Sequence, residues 1–235
     1  MFRLFFTPGW FRGWDIFFDL IAVVITLLIA AYSWRLYRIN HENRLAYFSL
    51  AFLLVSAGLL FKSFTSTVLY YTLIRDVAAD VLRPVAGAGL SLSGLYYRAA
   101  FFLQMLSMLG AWLLLFFVSQ KPRARLRKFY EVSQIALFAY LLILISIVSN
   151  FKYSVFYLTS SVILGLIALN YYKNYLNTGK KRPAFNVMLS FLFILAGNLA
   201  LIFIFASNRF YVLGEVLMLI GFLILLFTYQ KVTGK

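Results

Sequence analysis

The chain has 235 residues, 63% of them apolar and 12% charged, with a formal net charge of +15. A soluble domain is about half apolar and a quarter charged, so lipid is the solvent here and there is no room for a sizeable soluble domain. With no Cys, disulfides, thiol catalysis and Cys metal sites are excluded, and the single His41 argues against a His-based metal site or catalytic triad.

Met1 to Gly13 (MFRLFFTPGWFRG) is rich in aromatics around a Pro8-Gly9 turn. It lacks the basic start, apolar core and small-residue cleavage site of a secretory signal. It fits an interfacial anchor with Trp10 and Trp14 at headgroup level. The first helix is expected over Trp14–Tyr37 and the second over Leu45–Ile74, which is long enough to tilt or to project beyond the membrane. Arg75–Tyr97, with Pro84, Gly87, Gly89 and Gly94, is the largest irregular stretch. A third helix covers Leu95–Ser119. After the basic run KPRARLRK comes a fourth over Phe129–Ser149. The last three are expected over Val155–Tyr175, Ala184–Ala206 and Phe210–Gln230. Each is about the 20 residues that a bilayer crossing needs.

The apolar segments repeat. Shifted by 110, Phe101–Lys121 lies on Tyr211–Lys231 with eight of 21 positions identical, both ending in Gln-Lys. At a shift of 138, Leu28–Tyr37 meets Leu166–Tyr175, and at 139, Phe52–Gly58 meets Phe191–Gly197. The resulting expectation is a single all-α transmembrane domain of seven helices from an internal duplication: a three-helix repeat over 14–121, a linker helix over 129–149 and a second repeat over 155–231. Because three is odd, the linker gives both repeats the same orientation, about an axis along the membrane normal. The difference between the two shifts leaves a 29-residue insertion between the second and third helices.

Basic residues set the orientation. The segments after the odd-numbered helices carry fourteen Lys and Arg, and the opposite side carries seven. The positive-inside rule then puts the N-terminus outside and the C-terminus inside. Topology accounts for much of the positive charge, with attraction to anionic lipid at the cytoplasmic face as a modest extra. The basic run is short and sits at a membrane face, which argues against nucleic acid.

Ionisable side chains inside a bilayer are costly and mark function or structural pairing. Asp19 and Glu215 lie at similar depths in the first and last helices, Lys62 in the outer third of the second, and Arg98 and Gln104 in the first turns of the third. Desolvation favours ion pairs such as Lys62 with Asp19 or Glu215. These five residues read either as an outward-open polar pocket, with the insertion as its cover, or as an ion-pair cluster that fixes helix packing. Asp15 and Arg98, nearest the interface, are placed at the rim. Ser49, Ser56 and Ser63 on the second helix, beside Gly58, and Gly214 and Gly221 on the last, read as close-packing positions. Asn170 and Asn198 read as interhelical hydrogen-bonding groups. The inner turns, Ile25–Ile29, Leu113–Val118, Val162–Leu169 and Leu219–Phe227, are nearly pure hydrocarbon. A solute path needs polar lining through the whole thickness.

The three-one-three plan with an external N-terminus resembles the sugar-efflux (SWEET) and PQ-loop transporters. Those families carry prolines within the repeat helices, including a Pro-Gln pair; here Pro8, Pro84, Pro122 and Pro183 sit at helix ends or in loops. The helix count and orientation also resemble those of seven-helix receptors, including opsins. The last helix has no Lys before Lys231, where an opsin carries its retinal lysine.

The expected function is that of a non-enzymatic, multi-pass cell-membrane protein of receptor or sensor type. It would have an outward polar pocket and a basic cytoplasmic face that meets anionic lipid or a protein partner. The alternatives are a transporter of a small polar solute and a membrane-embedded structural subunit. No catalytic residues, metal or cofactor are expected.

Overall fold

The structure, a computed structural model, describes residues 7–71, 92–120 and 153–233. A 3-10 turn, Gly9–Phe11, precedes α1 (Trp14–Asn40) and α2 (Asn43–Tyr70). Then come α3 (Leu92–Ser119), α4 (Tyr153–Asn177) and α5 (Arg182–Ile202), a second 3-10 turn at Phe203–Phe205, and α6 (Arg209–Thr233). All six long helices are long and apolar enough to cross a membrane. The chain is a polytopic all-α membrane protein.

The expectation of seven helices is corrected: the described residues hold six. The segment assigned to a linker helix, 129–149, lies outside them. The seventh helix rests on the apolar run at 129–149 alone, and an apolar run is a property of composition, not a placed helix. The insertion expected as a cover also falls largely outside the described residues, over 72–91.

The helices form because long apolar runs carry no internal proline and, in lipid, satisfy every backbone group locally. Helix ends follow local chemistry. His41, at φ 52°, closes α1 with its amide bonded to the Tyr37 carbonyl at 2.8 Å. Pro183 sits in the first turn of α5, where its missing N–H costs nothing. The outward faces are as apolar as the core: Leu20, Val24, Leu27 and Leu28 on α1 and Leu158, Val162, Leu166 and Leu169 on α4 are all exposed. Such continuous stripes suit lipid contact.

Each helix packs on its chain neighbours, and α1 closes on α6, giving a ring. Sequence neighbours α1–α2 and α2–α3 run antiparallel, as do α5–α6. Two hydroxyl-to-carbonyl bonds tie α1 to α2: Ser49 Oγ donates to the Ala30 carbonyl at 2.8 Å and Ser33 Oγ to the Leu45 carbonyl at 2.9 Å. In contrast, α3 and α4 run in the same direction. Phe101 meets Tyr153 with ring centroids 4.4 Å apart, and Asn170 Nδ2 donates to Ser119 Oγ at 3.0 Å. Residues 120 and 153 therefore lie at opposite ends of the bundle.

The sequence shifts pair Gly58 with Gly197 and Met108 with Met218, and the same contact recurs in both halves. A Cβ built on Gly58 would lie 2.8 Å from Met108 Cγ; one on Gly197 would lie 2.6 Å from Met218 Cγ. Close approach is tightest between α5 and α6. There a Cβ on Gly197 would also meet the Gly214 carbonyl oxygen at 2.7 Å, and one on Gly221 the Ser190 carbonyl oxygen at 2.8 Å. Small residues permit this backbone contact, which supplies packing where lipid offers no hydrophobic drive between helices.

Candidate functional site

The ring places three ionisable side chains from α1, α2 and α6 together near one end of the bundle. Asp19 lies five residues into α1, roughly 8 Å along its axis at 1.5 Å per residue. α2 runs back past it and brings Lys62 to the same level. α6, parallel to α1, brings Glu215. Lys62 Nζ donates to Asp19 Oδ1 at 2.8 Å and to Glu215 Oε1 at 2.6 Å. The side chains of Lys62, Asp19 and Glu215 are 11%, 1% and 5% exposed, so the ion pairs are screened by protein rather than by water. The Lys62 ammonium also stands 5.4 Å from the centre of the Tyr211 ring, within cation–π range. Asp19 Oδ2 is buried and has no hydrogen-bond partner.

The triad is covered. Residues 7–13 fold over the bundle end, and Phe11, 4% exposed, packs on Phe18 and Tyr211. A latch holds this segment: the Tyr70 hydroxyl donates to Asp15 Oδ2 at 2.7 Å and bonds Thr7 Oγ1 at 2.9 Å. The Gly13 amide donates to Asp15 Oδ1 at 2.9 Å, and Gly13 takes φ 89°, a turn that a side chain would strain. Burial, then the Asp15 carboxylate, push the Tyr70 phenol above its usual range, so it keeps its proton at physiological pH. Trp10 and Trp14 point outward, at 69% and 58% exposure, consistent with an interfacial position.

Beneath the triad the interior is largely aromatic. Phe48 packs on Phe52 and stacks on Tyr229 with centroids 4.9 and 5.2 Å away, and Phe52 meets Phe222 edge-on at 6.5 Å. Tyr171 and Phe191 stack nearly parallel at 4.8 Å. The buried hydroxyls of Thr26 and Thr228 spend themselves on carbonyls of their own helices. The opposite end of the bundle carries the exposed Arg35, Arg44, Lys180, Lys181 and Lys231.

Of the five residues singled out from sequence, the structure thus joins Asp19, Lys62 and Glu215. Gln104 is buried on α3, its backbone carbonyl facing Gly58, and is not bonded to the triad. Arg98 lies on α3, with its side chain outside the described residues. Sequence reasoning left Asp15 at the rim, whereas it is 0% exposed. The signal was its spacing: Asp15 and Asp19, four apart, share a helix face. It also missed Tyr70, Tyr211, and the neighbouring hydroxyls Ser160 and Ser161, both buried and without a hydrogen-bond partner. Asn170 makes the expected interhelical bond; Asn198 bonds its own helix at Ile194 and reaches Met218 Sδ at 3.5 Å. Among the described residues no group of three or more His, Cys, Asp or Glu could hold a metal ion.

Compared with protein-family models, curated proteins and solved structures, the chain matches none.

Proposed function

We propose that this polytopic protein is a non-enzymatic receptor or sensor of the cell membrane, with the triad end facing outward and the basic end facing the cytoplasm. The positive-inside rule supports that orientation. The reading is carried by one contrast: a buried charged cluster under one end, and a packed aromatic interior under the other. A ligand would displace residues 7–13, which the Tyr70–Asp15–Thr7 bonds hold closed, and exchange contacts with Lys62 and its two carboxylates. The basic end would then meet anionic lipid headgroups and a protein partner.

A second reading, a carrier of a small polar solute, is favoured by the matching glycine–methionine contacts in the two halves. Repeats related by an axis along the membrane normal are a transporter plan.

Both readings share a test. Purified protein is screened for thermal stabilisation by amino acids, small amines and small carboxylic acids. The expected result is a compound whose stabilisation is lost in Lys62→Met and kept in Asn170→Ala. Stabilisation that survives Lys62→Met removes the triad from the binding site. Flux of that compound through the protein in liposomes replaces the receptor with the carrier.

A further inference from the structure

Charge does not balance at the triad. Two carboxylates meet one ammonium, all three buried, at 2.8 and 2.6 Å. Fully ionised, the group carries one surplus negative charge away from water, which is strongly unfavourable. Among the described residues the neighbouring elements bring no second cation to the triad, Arg209 of α6 being exposed. On α1 the next titratable group is Asp15, itself acidic and already bonded to Tyr70. On α2 it is Tyr70, on α6 Tyr211, and on α4 Tyr157, whose phenol lies within electrostatic reach of Lys62. α3 contributes Gln104 among its described side chains. Arg12 is exposed on the covering segment.

A second observation says where the imbalance falls. Asp19 Oδ1 takes the Lys62 bond, but Oδ2 is buried with no partner. A bare anionic oxygen is the most costly group to bury. The same oxygen carrying a proton is a neutral hydroxyl, for which an unmade hydrogen bond costs far less.

We propose that the Asp19–Lys62–Glu215 triad is a binding site for a single exchangeable proton, shared between its two carboxyl groups with Asp19 Oδ2 as the principal acceptor. On uptake, one O–H bond forms, the carboxylate becomes a carboxylic acid, and the triad goes from one negative charge to none; release returns the proton to water. The chemistry of the donor set selects a proton over larger cations. A metal ion would need several oxygens around it, and the ammonium already occupies the space between the two carboxylates. A proton needs no room. The inference rests on the triad alone and holds whether the chain senses or carries a solute.

The test is infrared difference spectroscopy of the full chain in lipid nanodiscs, in H2O and D2O, across a pH series. The carbonyl stretch of a protonated carboxylic acid is separate from that of a carboxylate. Wild type should show one deuterium-sensitive acid band at neutral pH, lost in a single step as pH rises. Asp19→Asn and Glu215→Gln each leave one carboxylate against one ammonium, so neither should show the band at neutral pH. Lys62→Met leaves two carboxyls with no cation and should show about twice the wild-type intensity. No acid band in wild type at neutral pH overturns the proposal. So does a band that persists unchanged in Asp19→Asn and Glu215→Gln, because it would then belong to another carboxyl such as Asp15. Should the triad variants fail to fold, Asp15→Asn decides in their place: the wild-type band must persist in it, and its loss there overturns the proposal. These results are independent of the ligand screen, so either reading can fail without the other.

Discussion

Gly197 and Gly58 occupy matching positions in the two halves, yet their replacement by alanine should have opposite outcomes. At Gly197 the new methyl would lie 2.7 Å from the Gly214 carbonyl oxygen and 3.0 Å from the Met218 amide nitrogen, in addition to 2.6 Å from Met218 Cγ. Contacts between nonbonded heavy atoms normally sit at about 3.5–4.0 Å, so the backbones of α5 and α6 are short by roughly 0.8 Å and must separate. Overpacking of this kind costs about 1–3 kcal/mol, and here the obstacle is backbone, which places it at the upper end. Against that stands the gain of about 1 kcal/mol for alanine over glycine inside a helix. The net expectation for Gly197→Ala is a loss of about 2 kcal/mol. At Gly58 the nearest atoms are the side-chain Cγ and Sδ of Met108, at 2.8 and 3.3 Å, with backbone no closer than 3.4 Å. Methionine is unbranched and adjusts readily, so Gly58→Ala should fall within about 1 kcal/mol of wild type, on the stabilising side. The two variants should therefore differ by at least about 2 kcal/mol, or roughly thirtyfold in folding equilibrium. Titration from mild detergent into mixed micelles containing dodecyl sulfate, followed by circular dichroism, measures both. Equal stabilities, or a Gly197→Ala variant at least as stable as wild type, would refute the reasoning.

Other consequences can be measured on the same preparations. Lys62→Met takes the cation from two buried carboxyl groups, which must then take up protons to stay buried; it should lower stability at neutral pH by about 3–5 kcal/mol, and the double variant Lys62→Met, Glu215→Gln should recover part of that loss. Tyr70→Phe removes the latch hydroxyl; it should cost about 1–2 kcal/mol and speed hydrogen exchange at residues 9–13, with α5 and α6 unchanged. Ser49→Ala breaks the bond to the Ala30 carbonyl and should cost about 0.6 kcal/mol, the usual worth of an interhelical hydrogen bond in a membrane. A tryptophan quenching series with lipid-attached quenchers should place Trp10 and Trp14 at the interface, and quenching only deep in the bilayer would contradict their placement.

The spans were legible because apolar runs of this length leave few alternatives. Asp19, Lys62 and Glu215 were legible as partners because charge in lipid must find opposite charge. What escaped was whatever depended on how the chain turns at its ends. Phe11 and Trp10 are adjacent and similar in hydrophobicity, yet one is buried against Tyr211 and the other faces outward; only the turn at Gly9–Phe11 decides which. Asp15 reads as an interfacial residue by depth, and its burial follows from Tyr70, which the return of α2 brings over it. The difference between Gly58 and Gly197 was also hidden, since it depends on whether a flexible side chain or a main-chain atom stands opposite. The count of helices differs for a simpler reason: the seventh rested on the run at 129–149, and the described residues hold six helices.

The triad also straddles a boundary. Asp19 and Lys62 belong to the unit α1–α3 and Glu215 to α4–α6, and the packing between these units is sparser than within either. The fused backbones of α5 and α6 leave little freedom inside the second unit. Among the described residues the α1–α6 and α3–α4 seams are the weakest lines of packing, with the Lys62–Glu215 bond as a clasp near one end and the Phe48–Tyr229 and Phe52–Phe222 rings as contacts below it. With Asp19 protonated, Lys62 is left to Glu215 alone and the clasp tightens; with the proton released, the ammonium is divided between the two units and the clasp slackens.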